Sequence, residues 1–198
     1  MYFCPPNLKM KTSIFNIFSR SWELMMTTAP AWEKIQNDNV KENSLYKGFV
    51  LPWTLLCSAT VLIFEIVYAT DKIYEAGFIK AFICFLSMTG SFYFTRMIAL
   101  SFFKKNFPDS FSKINIEKIT AYSFSVIYVT KIITTILPSL FFLQILNIYT
   151  VYIVWEGCRL LFNINEDERG KAMLLISLCI IFMPSLINRI ILFMLPSF

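Results

Sequence analysis

The sequence predicts an all-α integral membrane protein: a bundle of five transmembrane helices preceded by a cytoplasmic amphipathic helical segment. Three observations carry this. Of 198 residues, 57% are hydrophobic, 16% are charged and 21 are Phe, whereas soluble domains run about 45–50% apolar and about 25% charged. Five stretches are apolar over the roughly 20 residues a helix needs to cross hydrocarbon. Lys and Arg collect at alternate ends of those stretches, as the charge bias of membrane topology requires.

Residues 1–47 precede the spans. The opening MYFCPPNLKMKTSIFNIFSR has a broken apolar stretch and no small-residue cleavage site, so it is not expected to be a signal peptide. Tyr2 excludes N-myristoylation. Ile14, Ile17, Phe18, Trp22, Met25 and Met26 recur at helical spacing with Lys11, Arg20 and Glu23 as polar flanks. This predicts an amphipathic helix on the cytoplasmic leaflet, or docked against the bundle, ending at Pro30. PAWEKIQND opens a second short helix, and NDNVKENS is a polar connector.

The spans are expected at 48–70, 78–103, 119–138, 139–162 and 172–195. The third and fourth meet at Pro138, which cannot continue the helical hydrogen-bond ladder and drives the residue before it out of the helical region, so a tight helical hairpin is expected there. Orientation comes from the flanks. One side holds Lys9, Lys11, Arg20, Lys34, Lys41 and Lys47, then Lys104, Lys105, Lys113 and Lys118, then Arg169 and Lys171; the other holds Lys72 and Lys80. Twelve against two places the N-terminus in the cytoplasm and the C-terminus on the opposite side.

The formal charge of +5 reads as basic flanks beside an anionic leaflet and not as a nucleic-acid surface. There is no His and there are five Cys, none in a CxxC pair. His-based catalysis and metal ligation are thereby excluded, and the Cys spacing does not suit zinc. No nucleophile–base pair, metal cluster or phosphate loop is present, so neither an enzyme nor a cofactor is expected.

The spans nevertheless contain charges, which are costly in hydrocarbon and face the bundle interior or water. Near the cytoplasmic end, Glu156 has two candidate cations, Arg159 at i+3 and Arg96 across the bundle. Nearer the outside, Glu65, Lys131 and Arg189, with Gln144, Asn147 and Asn188, form a second layer, with Glu65 and Lys131 as the expected pair. These are either structural pairs that set helix register or the lining of a path for an ion or anionic head group. Ser87, Gly90 and Ser91, and likewise Thr130 and Thr134, make small faces for close helix approach.

The order of parts resembles the bacterial branch of the Ypt-interacting-protein (Yip) domain family. The likeness lies in APAWEKIQNDN, similar to that family's pre-membrane helix; in SLYKGFVLPWTLLCSATVLI, similar to the start of its first span; and in IYTVYIVWEGCRLLFNINEDERGKAMLL, where Tyr152, Gly157, Lys171 and Ala172 carry it. The D-L-Y-G-P motif of the eukaryotic branch is absent. The resemblance implies five spans and a cytoplasmic N-terminus; in eukaryotic relatives it implies vesicle trafficking and binding of lipidated small GTPases. Richness in Ile, Lys, Asn and Phe suggests an AT-rich, bacterial genome, and the expected location is a bacterial inner membrane.

The expected function is a non-catalytic adaptor or organiser. It would present a basic cytoplasmic face, with Arg20, Trp22, Trp32, Lys104 and Lys105, to protein partners or anionic lipid. The alternative is an oligomeric channel or transporter using the intramembrane charges.

Overall fold

The apolar stretches are helices, and the helices outrun them. The structure, a computed structural model, describes residues 14–68, 74–108, 110–162 and 164–194, and among these it has helices and no strand. Five are long and apolar enough to cross a membrane: Tyr46–Tyr68, Glu75–Asn106, Lys113–Ile136, Pro138–Leu161 and Glu166–Met194. Tyr2, Cys4, Lys9, Lys11, Lys72 and the tail after Met194 lie outside the described residues, as does the side chain of Ile14.

Among the described residues there are eight α-helices: α1 (Ile14–Met26), α2 (Thr28–Asn37), α3 (Leu51–Tyr68), α4 (Tyr74–Asn106), α5 (Lys113–Ser123), α6 (Ser125–Ile136), α7 (Tyr149–Leu161) and α8 (Glu166–Met194). A π-helical turn, Tyr46–Val50, leads into α3. Pro52 in the first turn of α3 has no N–H to give, and the wider turn before it absorbs the interruption. The third span starts at Lys113 and not at 119, because Ser112 caps α5 by accepting from the Asn115 N–H. The fifth starts at Glu166, with Asp167 and Glu168 beside it favouring the positive end of the helix dipole. Lys113, Lys118, Arg169 and Lys171, read as loop charges, therefore sit on helices.

Helix α6 ends at Ile136, and Leu137 leaves the helical region (φ −123°, ψ 80°) before Pro138. The expected hairpin is there. Beyond the turn the chain departs from α-helix: Pro138–Ile148 is 3₁₀, with a non-helical Leu140. Runs longer than three or four residues are uncommon for that geometry.

The N-terminal helices depart most from expectation. Pro30 does not end the first helix; the break is at Thr27, and Pro30 lies in the first turn of α2, where a missing donor costs nothing. Helix α2 runs along α7 in three rungs. Thr28 Oγ1 shares a hydrogen bond with Tyr149 Oη at 3.0 Å, Trp32 Nε1 donates to the Ile153 carbonyl at 3.0 Å, and Gln36 Nε2 donates to the Leu160 carbonyl at 2.8 Å. Gly157 makes the notch: a Cβ there would lie 2.8 Å from the Trp32 ring. Helix α1 returns alongside, with Trp53 Nε1 donating to Ser21 Oγ at 3.1 Å.

The spans close into a ring in which α3 meets α4, α4 meets α8, α8 meets α7, and α6 meets both α3 and the 3₁₀ segment. The small face on α4 serves this ring. Ser87 Oγ donates to the Pro184 carbonyl of α8 at 2.7 Å, and a Cβ on Gly90 would meet Ile187 at 3.4 Å.

Gly157→Ala should force the buried Trp32 ring from its place and destabilise the fold by about 1–3 kcal/mol, whereas Gly170→Ala, inside α8 with open space around it, should hold or raise the apparent Tm of the purified protein, Ala being the better helix former. Equal melting of both variants would refute the notch.

Candidate functional site

Charged side chains gather at two levels, and the two are built differently. At the end where α1 and α2 pack, Glu117 is buried at 1% exposure. It pairs with Arg96 at 3.4 Å and accepts from the Asn43 N–H at 2.8 Å and the Leu45 N–H at 3.3 Å. Asn43 sits at φ 62°, in the left-handed region that Asn tolerates, and the carboxylate holds that turn. Lys118 Nζ donates to the carbonyls of Gln36 (3.1 Å) and Asp38 (2.9 Å). Arg20 pairs with Asp38 and donates to Tyr122 Oη. Burial lowers the Arg20 pKa, but Asp38 and Tyr122 together more than offset that, so the net shift is upward. A buried charge is tolerable when paired and hydrogen-bonded, and Glu117 and Lys118 both serve to hold backbone.

Two expectations fail at this end, the Arg96–Glu156 pair and a surface place for Trp32. Arg96 reaches Glu117 and not Glu156. Among the described residues Glu156 pairs with Arg159 alone, at 2.7 Å. Trp32, expected at the membrane surface, is fully buried, because its N–H serves the Ile153 carbonyl. Trp22 is 61% exposed; with Phe18 and Met26 it forms an outward stripe at i, i+4, i+8. Lys104 and Lys105 are exposed at the end of α4. Arg169, counted as a loop cation, lies over the Trp155 ring at 4.3 Å and donates to Glu166 at 3.0 Å.

The other end holds an open vestibule of about 590 Å³. Its polar lining comes from α3 (Glu65), α4 (Lys80), α6 (Thr130 and Lys131), the 3₁₀ segment (Gln144 and Asn147) and α8 (Asn188). The expected Glu65–Lys131 pair does not form. Glu65 is taken by Lys80 at 2.8 Å, a residue read only as a flanking charge; α4 begins four residues before the apolar stretch and brings Lys80 level with Glu65. Arg189 is exposed on α8 and does not line the cavity. Lys131 is half-buried and has neither an ion pair nor a side-chain hydrogen bond among the described residues.

Below the vestibule the bundle is shut. Trp53 stacks on Tyr128 with ring centroids 5.9 Å apart and planes 9° apart, and Phe124 continues the stack at 5.8 Å. Phe92, Ile153, Ile176 and Ile180 fill the remaining space. This packed layer separates the cavity from the N-terminal helices. Among the described residues no group of His, Cys, Asp and Glu could hold a metal ion.

Fold and chamber define an all-helical chain with five helices fit by length and composition to cross a membrane, a multi-pass membrane protein. Comparison with protein-family models, with curated proteins and with solved structures finds no match to it.

Glu117→Ala should strand the Arg96 cation and the buried Leu45 N–H, release the Asn43 N–H, and cost about 3–5 kcal/mol. Glu156→Ala removes a pair whose Arg159 side chain is 47% exposed and should cost well under that. Thermal unfolding of both variants checks the order, and the reverse order would contradict the structural role assigned to Glu117.

Proposed function

We propose that the protein is a membrane-embedded solute-binding protein of the carrier class, working through the vestibule, with its N-terminal helices at the cytoplasmic face of a bacterial inner membrane. The observation that carries this reading is Lys131: a cation inside the bundle with no counter-charge among the described residues, facing a chamber of ligand size. An uncompensated intramembrane charge is expensive and is kept where it meets water, an ion or a substrate, and ligand cavities run about 300–1,000 Å³.

The reading draws support from the location of the other charges. The buried charges at the opposite end, Glu117 and Lys118, hold backbone, whereas the vestibule's polar groups hold little. The orientation rests on the twelve-to-two bias of Lys and Arg in the sequence.

Adaptor activity is a second reading, favoured by one observation, the exposed stripe of Phe18, Trp22 and Met26. The α1–α2 hairpin is fixed to the bundle, so a partner or anionic lipid would meet a rigid face and not a free arm. The Yip-domain resemblance fits this second reading and rests on the sequence motifs alone.

Flux through proteoliposomes separates the two. A carrier predicts solute-dependent flux lowered at least about tenfold by Lys131→Met. Flux of every tested solute unchanged by Lys131→Met and Glu65→Gln would remove the vestibule from function. The adaptor predicts instead a crosslinked partner lost in Phe18→Ser/Trp22→Ser with the fold intact.

A further inference from the structure

We infer that the vestibule selects an organic anion carrying a single carboxylate and an apolar tail, with Lys131 as the residue that binds the carboxylate. This rests on the solute-binding reading and goes further by giving the ligand's charge, its head-group number and its tail.

The sign comes from the charge count. Three ionisable side chains bring charge to the chamber at neutral pH: Glu65, Lys80 and Lys131. The first two neutralise each other at 2.8 Å, leaving one positive charge. The neutral groups are compatible with that sign. The Thr130 hydroxyl lies 2.9 Å from the Val126 carbonyl and 2.7 Å from the Asn147 side-chain amide, and with one proton to give it engages the Asn147 amide. The side-chain amides of Gln144 and Asn188 have no hydrogen-bond partner among the described residues, while the hydroxyls of Thr134 and Thr135 are turned back on their own helix carbonyls. One ammonium and the two free amide NH₂ groups suit a carboxylate, whose two oxygens only accept. A charge-assisted bond to Lys131 would offset the cost of leaving that ammonium in the bundle.

The tail comes from size and walls. About 590 Å³ far exceeds an inorganic ion. Val61, Phe64, Ile83, Ile127, Ile181 and Leu192 supply apolar wall beside the polar groups. A single unpaired cation argues against di- and tri-acids, whose second charge would lie against those walls or against Glu65.

The carboxylate could come from water or from the membrane, and the test has an arm for each. The full-length protein is placed in nanodiscs of neutral phosphatidylcholine, and thermal unfolding is followed with octanoate added from water, with oleate mixed into the bilayer, or with octyltrimethylammonium as the cationic counterpart. Expected is saturable stabilisation by octanoate or oleate and none by the cation. Lys131→Met should weaken that binding about tenfold or more, the loss of one charge-assisted bond. Glu65→Gln should tighten it several-fold, since it frees Lys80 and doubles the positive charge. Arg189→Met, a cation outside the chamber, should change nothing. The opposed directions of Lys131→Met and Glu65→Gln guard against misreading a folding defect.

Stabilisation by the cation alone would overturn the anion assignment and leave the solute-binding reading standing. Stabilisation by octanoate that all three variants retain would overturn the role of Lys131. No stabilisation by any of the three amphiphiles, with solute-dependent flux intact, would overturn the carboxylate ligand alone; the loss of both signals would defeat both readings.

Discussion

The fold turns on the fit of Trp32 into the notch at Gly157. That contact seats α2 along α7, and the other N-terminal interactions depend on it. Once α2 is fixed, Gln36 and Asp38 come within reach of α5, where Lys118 takes their carbonyls. Glu117 then meets the turn at Asn43, and that turn delivers the chain to the π-helical start of α3. A single absent side chain lets an indole approach a helix backbone closely enough to donate to its carbonyl. Burying Trp32 fully accounts for roughly 2–3 kcal/mol of apolar transfer, before the hydrogen bond and the packing around the ring.

This docking also explains why Glu156 and Arg159 interrupt an apolar run. Trp32 lies against Ile153 and Gly157, and Gln36 reaches Leu160, so the charged surface of α2 runs beside the same stretch of α7. The exposed Lys34–Glu23 pair, 3.0 Å apart, belongs to this level too. The C-terminal part of α7 therefore lies beside the N-terminal hairpin. Glu156 is buried there and pairs with Arg159, whose side chain is 47% exposed, at a cost far below that of two charges in mid-membrane.

Much of this was legible in the sequence, and most of the exceptions share a cause. Hydropathy is a property of consecutive residues, so the five spans and the break at Pro138 could be read directly. The polar set at the far end was also legible by depth: Glu65, Lys131, Gln144, Asn147 and Asn188 do line one chamber. What depth cannot give is rotation about a helix axis. Lys80 and not Lys131 reaches Glu65, Arg96 reaches Glu117 and not Glu156, and Arg189 turns outward although its neighbour Asn188 turns in. The amphipathic pattern of α1 misled differently. Both of its faces carry apolar residues, Ile17 and Leu24 inward and Phe18, Trp22 and Met26 outward, so a single apolar stripe describes neither. Trp32 had one usable signal: a Trp in α2 and a Gly in α7, as a ring and its notch need.

The central claim is that the bundle holds a wet chamber open at one end only. The direct measurement is thiol accessibility. In a chain with its native Cys replaced, Thr134→Cys lines the chamber and Tyr128→Cys lies in the aromatic floor below it. A membrane-impermeant maleimide should label Thr134→Cys from the side opposite the N-terminal helices and leave Tyr128→Cys unlabelled from either side. Labelling of both positions, or labelling of Thr134→Cys equally from the two sides, would mean a through-passage and contradict the packed floor; no labelling of Thr134→Cys from either side would mean that the chamber is dry.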